Sequence, residues 1–372
     1  MVNKVVSYLK KSIVILNGLL IPFYSALGGG LLWIIDFKRI KYISFTDIIV
    51  VSFSFLYPVI LYLLGTNTVL TTIESIILLL SVFLFGKNLN FSNKTEKNMF
   101  LLYFASYIAY AFLIFITTDI DEFETRRFTS PYTGMEMNSP SIVLLGTFSF
   151  IFIPLINRKK KIISICITLL SICTVFFVGF VGARTPFLIL MIIIVYNLFV
   201  RVEVKNILYT IFTSFSVVLP IYYYVYLPNS ILFLAFTRFE EMELGTSRFE
   251  MIGQFFNIFD NNLFGSQDSM ANTFGYSYFH NIFMDIYDVS GIIPLILTLF
   301  LFIIYTKNSI YLIVKGGEAF SNVLISLFIV VFAYYNLEPI AHFNIDFLAI
   351  LIFSAICTEK YKKELKKRLK TW

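Results

Sequence analysis

Charge is scarce in this sequence. Of its 372 residues only 14% are Asp, Glu, Lys or Arg, against about 25% in an ordinary soluble domain, and a water-facing surface cannot be assembled from so few. Cysteine is nearly missing as well. Cys166, Cys173 and Cys357 each fall inside an apolar run, with no CxxC and no Cys/His ligand spacing, which argues against a disulfide framework and a zinc site. Only two histidines occur, so a reaction needing an imidazole base has two places to find one. Walker A, GxGxxG, HExxH and GxSxG patterns are absent, and no nucleic-acid partner is expected.

Apolar residues fill the space that charge leaves. They make up 58% of the chain and come in runs long enough to cross about 30 Å of hydrocarbon at 1.5 Å per residue. Candidate spans lie near 13–35, 46–64, 68–86, 98–118, 139–156, 162–182, 185–200, 206–227, 287–306, 320–337 and 341–358. The predicted fold class is therefore all-α, a polytopic integral membrane protein of about eleven or twelve transmembrane helices forming one membrane domain over 1–372. The first run is too long for a signal-peptide core and is expected to stay in the mature protein. Pro22 and Gly28-Gly29-Gly30 could break it and create a twelfth pass.

Orientation follows from the Lys/Arg bias of the short loops. One alternate set carries Lys38, Arg39 and Lys41, then Lys87, Lys94 and Lys97, then Arg158 to Lys161, then Arg201 and Lys205, then Lys307 and Lys315. With the basic tail at 359–372 this set is expected to be cytoplasmic. The opposite set holds Arg126, Arg127, Arg184, Arg238 and Arg248, and no lysine. Strict alternation over eleven spans would put Lys4, Lys10 and Lys11 outside; a twelfth pass or an interfacial helix at 2–12 would return them to the cytoplasm.

Two outward segments are long. Residues 119–138 carry Ser-Pro and Pro-Tyr-Thr-Gly turns. Residues 228–286 form the largest polar stretch, predicted as one large extracytoplasmic loop. Within it, Ser247-Arg248-Phe249-Glu250 fits a capping box with Ser247 at the N-cap. Phe249, Ile252, Phe255, Phe256 and Phe259 follow at helical spacing, the pattern of a helix lying along the membrane surface. Arg248 would sit in its first turn, where unpaired N–H groups favour an anion; a surface arginine paired with Glu240, Glu241 or Glu243 is the plainer alternative.

Arg184 occupies the tight loop Val181-Gly182-Ala183-Arg184-Thr185-Pro186. It can snorkel to the interface or serve as an anion ligand. His280 lies in Tyr278-Phe279-His280-Asn281 at the entrance to a span, with Asn281, Asp285 and Asp288 close behind. Histidine is the usual general base near neutral pH, though a hydrogen-bonded structural role is open to it, and for two acids at a span entrance the plainer alternative is that they face water. His342 follows Glu338-Pro339 at the outer end of the last hairpin. Glu74 and Glu338 are few acids for a proton-coupled transporter, which normally buries and pairs several.

The stretch Gly245 to Pro294, with GTSRFEMIGQFFNIFDNNLFGSQDSM and YFHNIFMDIYDVSGIIP, resembles the loop of the O-antigen polymerase and O-antigen ligase superfamily. Its arginine-led amphipathic helix, Asn-x-x-x-Gly turn, His-Asn pair and acidic helix ending in Gly-Ile-Ile occur in that order. Gly182-Ala183-Arg184-Thr185 resembles the small-x-Arg turn, and Arg127 to Pro140 the earlier loop, whereas Ser266 to Asn272 departs from the family's glycine-richer sequence. The resemblance implies a GT-C-like membrane glycosyltransferase of the bacterial cytoplasmic membrane, with undecaprenyl-pyrophosphate-linked oligosaccharides as substrates and no cofactor or metal. It implies His280 as catalytic base, Arg184 and Arg248 on the pyrophosphate, and Arg127, Asn281, Asp285, Asp288 and Glu338 toward the glycan. A chain-length regulator and a flippase would be its partners. A ligase moving glycan to another acceptor is the nearer alternative, and a flippase of the same lipid-linked sugar the more distant one.

Overall fold

The computed structural model describes residues 43–89, 246–258, 263–265, 279, 281–336 and 345–370, with short pieces at 105, 127–129, 136–138, 151, 153–155, 189, 192–193 and 196. The chain divides into two compact units, one of residues 1–99 and 245–372 and one of 100–244. The predicted spans at 13–35, 98–118, 162–182 and 206–227 lie outside the described residues or almost wholly so.

In the first unit, helix α1 runs Phe45–Leu63 and α2 Val69–Asn88, within two residues of the spans read from sequence. Each begins with a reciprocal cap. Ser44 accepts from the Asp47 N–H while Asp47 accepts from the Ser44 N–H, and Thr68 and Thr71 do the same for α2. Helix α3 is Thr246–Ile258, α4 Ile282–Ser290, α5 Ile292–Lys315, α6 Ala319–Tyr335 and α7 Ile345–Lys370.

Helices α1, α2 and α5 are long and apolar enough to cross a membrane, and α6 is apolar over the shorter stretch Ala319–Ala333. Large apolar side chains stand exposed along them, among them Ile48, Val59, Leu70, Ile303 and Val314, a surface suited to lipid rather than water. Inside the unit, six buried hydroxyls are satisfied within their own helices. Ser54, Ser75, Ser81, Thr298, Ser354 and Thr358 each donate to the carbonyl four residues earlier at 2.6–2.8 Å, the arrangement a helix needs where no water can serve them.

The expected span at 287–306 takes a different form. Gly291 breaks it into the short α4 and the longer α5, which runs on to Lys315 and so carries Lys307 and Lys315 as helical residues rather than loop residues. The basic tail likewise continues α7 without interruption to Lys370. Basic ends collect at one end of the unit. Lys87 pairs with Asp47 at 2.6 Å, and Lys360 donates to the carbonyls of Lys87 and Leu89 at the end of α2. Arg368 pairs with Glu318 at 2.8 Å, and Glu318 also accepts from the Tyr361 hydroxyl.

The described elements are helical, as expected, apart from one short strand pair in the second unit. Strand β1, Arg127–Thr129, pairs antiparallel with β2, Glu136–Asn138, placing Arg127 opposite Asn138. Pro131 and Gly134, turn signals of the sequence, lie between the two strands.

Candidate functional site

Asn281 starts α4. Its backbone is extended (φ −146°, ψ 127°) and its side-chain oxygen accepts from the N–H groups of Phe283 at 3.0 Å and Met284 at 3.4 Å, the work of an N-cap. Its amide nitrogen donates at 3.2 Å to Asn336, which in turn donates to the Phe332 carbonyl. The cap therefore ties the start of α4 to the end of α6, two residues before Glu338.

Asp285, in the first turn of α4, turns back on the same segment. Its Oδ1 accepts from the Phe279 N–H at 2.8 Å. Residues 279 and 281 are thus both anchored, on either side of His280. The Asp285 side chain is 0% exposed, and among the described residues its Oδ2 has no hydrogen-bond partner. Burial pushes its carboxyl up to about 8, with the neighbouring Asp288 adding to the rise and the N–H groups of Phe279 and Asn281 opposing it. At neutral pH Asp285 is mostly protonated. Buried Tyr57 of α1 lies within electrostatic reach of it.

Aromatic packing brings α3 to this turn. Met251 and Phe255 are buried against Phe279, Tyr287 and Leu295. The Phe255 ring stands edge-on to Phe279 at 5.4 Å and to Tyr287 at 5.5 Å, a favoured geometry for aromatic pairs. The stripe expected along α3 is accordingly split: Phe255 faces the protein, whereas Ile252 and Phe256 are exposed. The helix also begins at Thr246, so Ser247 is its second residue rather than its cap. Arg248 falls in the first turn, three residues before Met251 and seven before Phe255, the spacing of one helix face.

A third segment closes over the break between α4 and α5. The Ile292 N–H donates to the Leu263 carbonyl at 2.9 Å. Gly265 (φ 85°) and Gly291 (φ 81°) meet there through their backbones: a Cβ on Gly291 would lie 2.5 Å from the Leu263 oxygen, and one on Gly265 2.8 Å from Ser290. The Asn-x-x-x-Gly turn and the Gly-Ile-Ile sequence thus form one contact.

Of the site residues expected from sequence, Asn281, Asp285 and Asp288 are brought together on α4, and Asp285 and Asp288 are both fully buried rather than facing water. Arg248 lies on α3, the helix whose Phe255 packs against the same turn, and Arg127 on β1 of the other unit. Side-chain positions of Arg127 and Arg248, and all of Arg184, His280, Glu338 and His342, lie outside the described residues. Tyr57, Asn336 and the Gly265–Gly291 contact were not anticipated. Asn336 gave a faint signal, as a polar residue ending an apolar run just before Glu338-Pro339; Tyr57, within an apolar run, gave none. Compared with known protein families, curated proteins and solved structures, the chain matches none.

Proposed function

We infer that the chain polymerises undecaprenyl-pyrophosphate-linked oligosaccharide repeat units into a surface polysaccharide at the outer face of a bacterial cytoplasmic membrane. The observation that carries this reading is the packing of Phe255 on Phe279, which sets the arginine-led helix α3 beside the turn flanking His280. Such a reaction needs two things close together: a cationic group for a leaving pyrophosphate and a base for an acceptor hydroxyl.

In this reading the acceptor hydroxyl attacks the anomeric carbon of the donor. The bond from that carbon to the pyrophosphate oxygen breaks, His280 takes the hydroxyl proton, and Arg184 and Arg248 neutralise the departing pyrophosphate. Asp285 acts as a positioning residue, since its bond to the Phe279 N–H fixes the chain next to His280. Arg127, Asn281, Asp288 and Glu338 are left for the glycan or its support, and membrane-length helices such as α5 offer apolar surface to the polyprenyl chain.

The test is elongation of a defined lipid-linked unit by the purified protein in detergent. Longer lipid-linked products are expected, and Arg184→Lys and Arg248→Lys should each make almost none, because a point charge does not reproduce the planar fork that holds two phosphate oxygens. Transfer to a different acceptor without elongation would identify a ligase. Movement of the unit across vesicles without bond formation would identify a flippase and overturn the reading.

A further inference from the structure

At the basic end of the first unit three cations are matched. Lys87 has Asp47, Lys363 has Glu359, and Arg368 has Glu318. Three other lysines gather about one aromatic ring. The Lys362 and Lys366 ammonium groups lie 5.4 and 5.2 Å from the centre of the Tyr311 ring, and Lys307 is exposed one helical turn before Tyr311 on α5. Among the described residues none of the three makes an ion pair.

The polar partner of Lys362 is neutral: it donates to the Asn308 side-chain oxygen at 2.6 Å. Asn308 is 4% exposed, and among the described residues its amide nitrogen has no hydrogen-bond partner. Burial, together with Lys366, Lys307 and Lys363, pushes the Lys362 ammonium below its ordinary value, and only Glu359 pulls the other way. The cluster is positively charged, aromatic-backed and short of an anion.

Its height in the membrane points to the source of that anion. Helix α5 starts at Ile292, so Lys307 stands about 22 Å along it and Lys315 about 35 Å, and a hydrocarbon layer about 30 Å thick that begins with the helix ends between them. Ile303, Ile310 and Val314, all exposed, lie with Lys307 on one helix face and offer a wall for acyl chains. Tyr311 sits at the level where amphipathic rings gather in membranes.

We propose that Lys307, Lys362 and Lys366 hold the headgroup phosphate of an anionic phospholipid at the basic end of α5 and α7. An anionic lipid supplies the missing charge, whereas a zwitterionic one brings its own cation into a site already crowded with them.

The experiment titrates the full purified chain with phosphatidylglycerol, phosphatidylcholine, glycerol 3-phosphate and inorganic phosphate, counting bound molecules by native mass spectrometry. Phosphatidylglycerol should bind at least tenfold more tightly than phosphatidylcholine. The double variant Lys307→Gln, Lys366→Gln should weaken phosphatidylglycerol binding by roughly thirtyfold, while Lys315→Gln, Lys370→Gln, which removes equal charge from the same end, should leave the preference in place. Equal losses in the two doubles would reduce the effect to general surface potential and overturn the site. Glycerol 3-phosphate binding as tightly as the lipid would overturn the lipid as its occupant. Should the glutamine double fail to fold, Lys307→Arg, Lys366→Arg keeps the charge and must keep the preference; its loss would also overturn the proposal.

Discussion

Gly265 and Gly291 touch through their backbones, each in the left-handed region, at the place where the apolar run after His280 breaks into α4 and α5. The contact decides where α4 points, and α4 carries the Asn281 cap and Asp285. An alanine at either position would meet backbone at 2.5–2.8 Å and would also hold a positive φ, a combination costing at least about 1–3 kcal/mol. Gly265→Ala and Gly291→Ala are therefore expected to lower the unfolding temperature in detergent, with less than additive loss in the double variant because both act on one contact. Gly253→Ala is the control. That glycine is exposed within α3 with nothing near its Cβ position, so alanine should stabilise by about 0.5–1 kcal/mol.

Asp285 yields a prediction with a sign. Its folded-state carboxyl titrates at about 8, well above the ordinary value of 3.8, so between those values the folded protein binds a proton that the unfolded chain releases. Its contribution to stability is fully present below about pH 4 and is lost as the pH rises through 8. Asp285→Asn imitates the protonated acid, keeps an oxygen for the Phe279 N–H and should flatten this dependence of the unfolding temperature. Asp285→Ala leaves that buried N–H without an acceptor, at about 1–3 kcal/mol, and should reduce activity beyond its effect on stability. An Asn variant with the wild-type slope would remove Asp285 from this role.

How far the sequence could be read depended on the range of the interaction. Spans α1 and α2 were legible because continuous apolar runs end at Thr and Ser caps within a few residues. The 287–306 span was misjudged at both ends, since one glycine in an apolar run does not announce a break, and Lys307 and Asn308 look like loop residues although the bundle's basic end accommodates them on a helix. Asn281 preceding an apolar helix is a local signal of a cap. Asn336, which it bonds across 55 residues, is not. Nor does periodicity reveal that Asp285 turns back to Phe279, because that bond depends on the extended backbone before α4. The stripe on α3 was legible as apolar, but which half faced protein depended on Phe279 and Tyr287, which follow it at a distance.

Phe255 and Phe256 separate the two faces of α3. Phe255 is buried between Phe279 and Tyr287, whereas Phe256 is 68% exposed. Phe255→Ala should cost about 3–5 kcal/mol of stability if the gap does not close and should loosen Arg248's helix from the His280 turn. Phe256→Ala should leave the stability within about 0.5 kcal/mol of wild type. A milder Phe255→Leu variant keeps most of the volume, so its elongation rate, measured at matched protein level, reports the coupling of α3 to the turn. Full activity in Phe255→Leu together with Phe255→Ala would mean that this packing does not serve the reaction.

His280 is the remaining test, and the anchors around it make the test a sharp one. Asp285 holds the Phe279 N–H and Asn281 caps α4, so the backbone on both sides of position 280 is fixed by groups other than the imidazole. Replacing the ring should therefore leave the turn in place and remove only its proton-accepting nitrogen. A positioned general base contributes roughly 10²–10⁴-fold, and His280→Ala and His280→Gln are expected to reach the membrane, unfold near the wild-type temperature and elongate the lipid-linked unit at least about a hundredfold more slowly. Their residual activity should also lose any dependence on pH between about 5.5 and 7.5 that wild type draws from an imidazole. Asn281→Ala disturbs the cap instead, and is expected to cost about 1 kcal/mol of stability with a smaller loss of rate. His342→Ala serves as the internal control and should stay active. Wild-type product from His280→Ala, with loss in His342→Ala, would move the base to the last hairpin beside Glu338.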